Sequence, residues 1–322
     1  MVSSAEQPPA AEPLPQTTAL DWPEDDLSGR MMDGAHRFVE RQIDEVQARS
    51  ARFWTYDASS AEAWNAALQG NRNRLREIVG VVDPRLRPVL ERFGDETNPA
   101  LVAETSRYRV YQVRWAVLEG VTAEGLLVQP VPRAPTAHLV VVPDSGQNPE
   151  QVMGLAPGLA PERQFARRLA ESGCELLIPA LVRRDPIETD DAQLRSSEQT
   201  WREWLYRQAF HMGRHPIGYE IQKVLAAVDA FRTQRGTSAK VGVVGYGEGG
   251  LVAFHAAAID TRIDAALVSG YFDRRTLVWQ EPIDRNVWSL LERFGDAEIA
   301  SLVLPRHLVI CLLYTSPSPR DS

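Results

Sequence analysis

The 322-residue chain predicts an α/β fold, a mostly parallel sheet flanked by helices, preceded by an N-terminal helical segment. Three observations carry that expectation. Short apolar runs at Leu139–Val142 and Leu176–Ile178 read as strands buried on both faces, and Val241–Val244, Ala265–Val268 and His307–Ile310 as further strands. Helical patterns alternate with them, as βαβ units require. A glycine-rich turn, Gly245 to Gly250, joins one such strand to a helix.

Taken in order, residues 1–20 hold Pro8, Pro9, Pro13 and Pro15 and little apolar material, which predicts a disordered linker. Residues 21–105 form the helical segment. Phe38, Ile43, Val46 and Phe53, then Trp64, Leu68, Leu75 and Ile78, recur at roughly helical spacing. Asp83-Pro84 offers an N-cap and a first-turn proline, and so a further short helix. The main domain spans 106–310. Its first strand carries Val113, Trp115 and Val117 on one face, with Gln112, Arg114 and Ala116 on the other. Glu119-Gly120 turns it into a second strand, Glu124–Val128. A helix over Pro161–Glu171 ends at Gly173. Pro216–Arg232 places Ile217, Ile221, Val224, Leu225, Val228 and Phe231 on one face. Gly250–Ile259 and Asp284–Glu292 complete the helices.

Composition bounds the function. With 44% hydrophobic and 24% charged residues the chain is ordinary for a globular protein. A net charge of -8 argues against nucleic acid as a partner. No apolar run reaches the ~18 residues of a membrane span. No signal peptide is visible near Met1, so the chain as written reads as cytoplasmic. A start upstream of Met1 would allow an extracytoplasmic location. Cys174 and Cys311 are too few for a disulfide framework or a Cys-based metal site. No cofactor or metal is expected, and the oligomeric state is not legible. The last residues, Cys311 to Ser322, match the translation of a transposase-type sequencing adapter. Residues 311–322 are therefore expected to be an artefact, and the natural chain to continue past Ile310.

The sharpest local feature is Val244-Gly-Tyr-Gly-Glu-Gly-Gly-Leu251. Gly245, Gly247 and Gly250 satisfy the dinucleotide pattern G-x-G-x-x-G, which would set a pyrophosphate on the helix N-terminus. Asp273 lies near the distance expected of its acid, but two parallel strands and a hairpin come first. The other reading is the nucleophile elbow G-x-S-x-G, whose central residue is strained and needs small residues two before and two after it. Gly245 and Gly249 supply these, so Gly247 occupies the nucleophile position and presents no side chain. Centring the turn on Glu248 would place Tyr246 at a small-residue position.

With Val142-Pro-Asp-Ser-Gly-Gln147, Arg202-Glu-Trp204, Gly213 to Glu220, the elbow, Asp260 to Ala265 and Leu304 to Val309, the chain from about Tyr108 to Ile310 resembles the α/β-hydrolase superfamily. Within it, the resemblance is to the dienelactone hydrolase and acetyl xylan esterase type. That resemblance implies cleavage of carboxylic esters, with a small-molecule or carbohydrate ester as partner, by a Ser assisted by His and an acid. It implies oxyanion donors at the backbone of Ser145 or Gly146 and of Glu248. It also implies an acid and a His beyond Ile310. The missing Ser leaves three readings: a hydrolase using an unrecognised nucleophile or an activated water, a non-catalytic hydrolase-like binding protein, and a dinucleotide-binding protein.

Each remaining candidate has a plain structural alternative. Ser145 as a substitute nucleophile is weighed against a loop residue, and Asp273 as an alternative acid against a strand-end cap. Arg183, Arg184 and Asp185 as a site for an anionic or sugar-like ligand are set against a salt-bridged loop. His211 and His215 as a metal pair lack a third ligand, which favours structural hydrogen bonding. Trp201, Trp204 and Tyr206 as a carbohydrate platform are weighed against helix packing. His255 reads as a packing residue.

Overall fold

A computed structural model describes residues 15–17, 27–187 and 199–312. The expected linker at 1–20 and the adapter-like tail at 311–322 lie outside these residues, apart from 15–17 and 311–312. The chain divides into two compact units at Glu45/Val46. The first contains helix α1 (Leu27–Asp44), which has no buried residue.

The second unit holds the sheet. Its strands are β1 (Glu91–Arg92), β2 (Leu101–Glu104), β3 (Tyr108–Leu118), β4 (Val121–Pro130), β5 (His138–Val142), β6 (Glu175–Pro179), β7 (Val241–Tyr246), β8 (Ala265–Ser269) and β9 (His307–Cys311). The order is β1-β3-β4-β6-β5-β7-β8-β9, with β2 also paired to β3. From β6 to β9 every pairing is parallel. The hairpin β3–β4 and its flanking strands are antiparallel. The helices are α2 (Val46–Ser50), α3 (Ala61–Ala67), α4 (Gln69–Ile78), α5 (Pro149–Met153), α6 (Phe165–Glu171), α7 (Trp201–Phe210), α8 (Pro216–Arg235), α9 (Glu248–Ile259) and α10 (Asp296–Val303).

Alternation along the strands builds two cores, because successive side chains leave opposite faces. Val140 and Val142 of β5, with Val113, Trp115 and Val117 of β3, face α4, α8, α9 and α10. Val141, with Val110, Leu126, Leu176 and Ile178, faces α5 and α6. Helices therefore cover both sides of the sheet. Two arginines, the buried Arg72 and the half-buried Arg306, close the carbonyl ends of helices. Arg72 Nε and Nη2 donate to the Ala258 and Leu302 carbonyls, each at 3.0 Å. Arg306 Nη2 donates to those of Ala257 and Leu302 at 2.7 and 3.0 Å. Both satisfy acceptors that a helix end otherwise leaves orphaned.

Three expected elements differ. No helix follows Asp83-Pro84. Instead the Leu86 N–H donates to the Val117 carbonyl at 2.8 Å, so β3 takes this proline-punctuated segment as an extended neighbour. β1 and β2 fall inside the span expected to be helical. The helix expected over Asp284–Glu292 is two short 3₁₀ turns, Ile283–Arg285 and Leu290–Glu292. The Asp284 side chain is engaged by Arg184 and Arg202 rather than by capping, and Ser289 has φ 61°, which ends any helix there. The true helix starts later, at Asp296, where Glu298 reaches back to the Gly295 N–H at 2.9 Å.

Candidate active site

The glycine-rich turn lies at the carboxyl end of β7, in the middle of the parallel strands, where open α/β sheets present their ligand crevices. Gly247 has φ 56° and ψ −120°, a combination costly for any residue with a Cβ. Its N–H donates to the Ser269 carbonyl at 2.9 Å. A Cβ on Gly245 would collide with the Gly249 backbone, and one on Gly249 with the Val142 and Pro143 carbonyls of the neighbouring strand. The turn is thus too tight for side chains two residues either side of Gly247, as the spacing predicted.

A Cβ on Gly247 would itself lie 2.9 Å from Asp144 Cγ, and nearer still to Oδ1. Asp144, at the end of β5, projects its carboxylate into the space a side chain at 247 would need. The carboxylate is held by two backbone donors. The Glu248 N–H donates to Oδ1 at 2.7 Å, and the Gly146 N–H to Oδ2 at 3.2 Å. Both Gly146 and Glu248 were candidate oxyanion donors, and both N–H groups point at Asp144. An N–H at a helix N-terminus is well placed to hold such an anion. Ser145 is buried, its Oγ accepting from Arg184 Nη1 at 3.2 Å.

Beneath the turn the Glu248 carboxylate is fully buried and meets three guanidinium groups. Arg202 Nη2 lies 2.8 Å from Oε1, and Arg184 Nη2 and Arg285 Nε lie 3.0 and 2.8 Å from Oε2. Arg184 and Arg202 both reach Asp284 at 2.8 Å. The series continues through Arg285 to Glu281, through Arg275 and on to Asp296. On the other side it runs through Arg202 to Glu220 and Lys223. Burial alone would raise the pKa of Glu248, but Arg202, Arg285 and Arg184 hold it below the ordinary carboxylate value. Asp284 is lowered too, burial being overcome by its bonds to Arg184 and Arg202. Both carboxyls are therefore held ionised. Asp296, at the far end, is pushed up to about 6 by burial.

The other candidates separate. Arg184 joins this network, whereas Arg183 pairs with Asp185 on an exposed loop. His215 caps α8, its Nδ1 accepting from the Ile217 N–H at 3.1 Å. His255 Nδ1 is 2.9 Å from the Leu251 carbonyl. Burial lowers the pKa of both imidazoles to about 4. Asp273 is exposed beyond β8, its Oδ1 accepting from the Arg274 N–H. Trp201 and Trp204 stack edge to face at 6.1 Å, and Arg202 between them carries the buried charge. No group of three or more His, Cys, Asp or Glu among the described residues is arranged to hold a metal. No described helix is long and apolar enough to cross a membrane.

Comparison with known proteins agrees with this architecture. Residues 126–276 match the dienelactone hydrolase family. The Bacillus subtilis (strain 168) protein YtaP, named as a hydrolase, is 27% identical over 125 residues, 36% of this chain and 42% of that protein. The chain thus matches less than half the length of that curated relative. Among solved structures, a protein assigned as an acetyl xylan esterase from Bacteroides fragilis superposes with a TM-score of 0.62 at 17% identity, over 86% of this chain and 74% of that one. A glucuronoyl esterase from Solibacter usitatus superposes with a TM-score of 0.54 at 15% identity, over 80% and 78%. At such identities the likeness shows the fold: this is an α/β-hydrolase-fold chain.

Proposed function

We propose that this α/β-hydrolase-fold chain is a non-catalytic member of its esterase-like kin, one that keeps the framework and has lost the serine mechanism. A single observation carries the reading. The Asp144 carboxylate lies where a nucleophile on residue 247 would stand, and it takes the N–H of Glu248 that would otherwise stabilise an oxyanion. Acyl transfer needs a nucleophile, a base within hydrogen-bond reach of it, and donors aimed at the developing negative charge. Gly247 offers no nucleophilic atom, and an anion sits on the donors. A substrate carbonyl entering there would meet a carboxylate, which repels the charge it must develop.

The dinucleotide reading fares no better. A pyrophosphate at the start of α9 would have to share the Glu248 N–H with Asp144, two anions on one donor. The glycines of the dinucleotide pattern have local causes: Gly245 packs on the Gly249 backbone, Gly247 has φ 56°, and a Cβ on Gly250 would lie 2.9 Å from the Ser269 carbonyl.

The test is activity-based labelling. The purified protein is expected to take no fluorophosphonate at any serine and to hydrolyse p-nitrophenyl acetate at the rate of a denatured control. Labelling mapped by mass spectrometry to Ser145, or to any other serine, would overturn the proposal.

A further inference from the structure

A second concave feature lies away from the turn. A cavity of about 700 Å³ opens between the segment after β8 and the start of α10. None of Asp144, Ser145, Gly247 or Glu248 lines it. Its apolar wall includes Phe272, Leu291 and Phe294. Its volume falls in the range of sites that enclose small organic ligands.

The polar lining is uneven in charge. Asp273, Asp296 and Glu298 line it together with Arg274 and Arg275, three carboxylates to two guanidinium groups. Arg275 is already committed, to Asp296 Oδ2 at 3.0 Å, to Glu281 at 2.8 Å and to the Tyr271 carbonyl at 2.6 Å. Asp296 is 3% exposed. Its Oδ2 also accepts from the Asp273 N–H at 2.9 Å, whereas its Oδ1 is buried with no hydrogen-bond partner among the described residues. A buried acceptor left unmatched is costly, and such sites call for an occupant that supplies a donor.

We propose that this cavity is a binding site for a small organic ammonium ion with an apolar or aromatic body. The ammonium would donate to Asp296 with a small movement of that side chain, and offset the excess carboxylate. The body would lie against Phe272, Leu291 and Phe294, where a cation close to an aromatic face gains further. No residue of the Gly247 turn lines the cavity, although Asp296 ends the ion-pair series that reaches Glu248; amine binding and serine labelling are separate readouts, so the failure of one reading does not decide the other.

Phenethylamine is the probe, titrated into the full chain by calorimetry or by NMR, with 3-phenylpropionate and benzyl alcohol as partners of similar shape. Saturable binding of the amine is expected, at least 10-fold tighter than either control. Asp296→Asn keeps the acceptor to the Asp273 N–H and removes the charge; it should weaken the amine about 10-fold and leave benzyl alcohol unchanged. Ala297→Trp, at an exposed lining position, should block the amine without touching Asp296, and guards against a folding defect in the Asn variant. Equal affinity for amine and carboxylate, unaltered affinity in Asp296→Asn, or no saturation by about 10 mM would overturn the proposal.

Discussion

Installing the missing serine should fail, and the structure says by how much. Gly247→Ser places a Cβ at φ 56°, ψ −120°, which costs roughly 1–3 kcal/mol for a residue other than glycine. That Cβ also overlaps Asp144, so the carboxylate must swing away and release the Glu248 N–H. Losing a hydrogen bond to a charged group costs about 1.5–3 kcal/mol. Together the variant should be destabilised by roughly 2.5–6 kcal/mol, a large share of the ~5–15 kcal/mol typical of a domain. Equilibrium unfolding in urea measures this directly, provided the m-value is unchanged. Fluorophosphonate labelling of the same variant should stay at background. Adding Asp144→Gly removes the overlap but leaves the backbone strain and gives the Glu248 N–H no acceptor, so the double variant should be no more stable than Gly247→Ser alone. A Gly247→Ser protein as stable as the parent, or one labelled at the introduced serine while Asp144 is intact, would refute the assignment of Asp144 to that space.

Three further outcomes follow from the same geometry. Arg202→Leu strips Glu248 and Asp284 of a fully buried partner, so it should cost about 3–5 kcal/mol in urea unfolding, far more than removing exposed Arg183. Asp144→Ala leaves the Glu248 N–H without its anion and should cost about 1–3 kcal/mol while conferring no esterase activity on p-nitrophenyl acetate. Acid should destabilise the fold. His215 and His255 have folded pKa values of about 4, below the unfolded 6.5, so the unfolded chain binds more protons between those values and stability falls as pH drops through that window. Asp296, at about 6 against 3.8, acts with the opposite sign, gaining stability as pH falls toward 4. Each histidine shift is worth roughly 3 kcal/mol and the aspartate's about as much, so a net loss of about one histidine's worth is expected between pH 7 and 4, read from urea midpoints.

Much of the frame was legible because its signals are local. Val140 to Val142, Leu176 to Ile178 and Val241 to Val244 are apolar on both faces and can only be interior strands. Ile217, Ile221, Val224 and Phe231 mark α8 by period alone. The glycine spacing marked the tight turn at 247, since small residues two apart on each side follow from backbone collisions within one segment. α10 carries a signal of its own that the Asp284 pattern masked: Gly295-Asp296 followed by Glu298, then Ile299, Leu302 and Val303 at helical spacing. The occupancy of the turn was not legible. Asp144 and Glu248 stand 104 residues apart, and Arg184 and Asp284 100 apart. No period or motif announces such meetings. Asp284 misled for a related reason: a short acidic residue before a helical pattern reads as a cap, whereas its carboxylate is drawn into the buried charge.

The buried charge also bears on what the crevice can accept. From Lys223 through Glu220, Arg202, Asp284, Arg184, Glu248, Arg285, Glu281 and Arg275 to Asp296, five cationic and five anionic side chains join in one connected network. Desolvating any one of them unpaired would be prohibitive, and the pairing leaves the set neutral when all are ionised. An ester carrying a carboxylate would find Arg184, Arg202 and Arg285 already committed to Glu248. To bind, it would have to displace a fully buried carboxylate, leaving that group unpaired at about 3–5 kcal/mol, more than a surface contact returns. On the non-catalytic reading, the arginines beside the turn are held for structure rather than for substrate capture. They tie the segments at 182–185 and 281–285 and helix α7 to the first turn of α9. A charge network of that kind rigidifies the crevice in one arrangement. It suits a fold kept for its shape better than one that must open its oxyanion donors to a substrate.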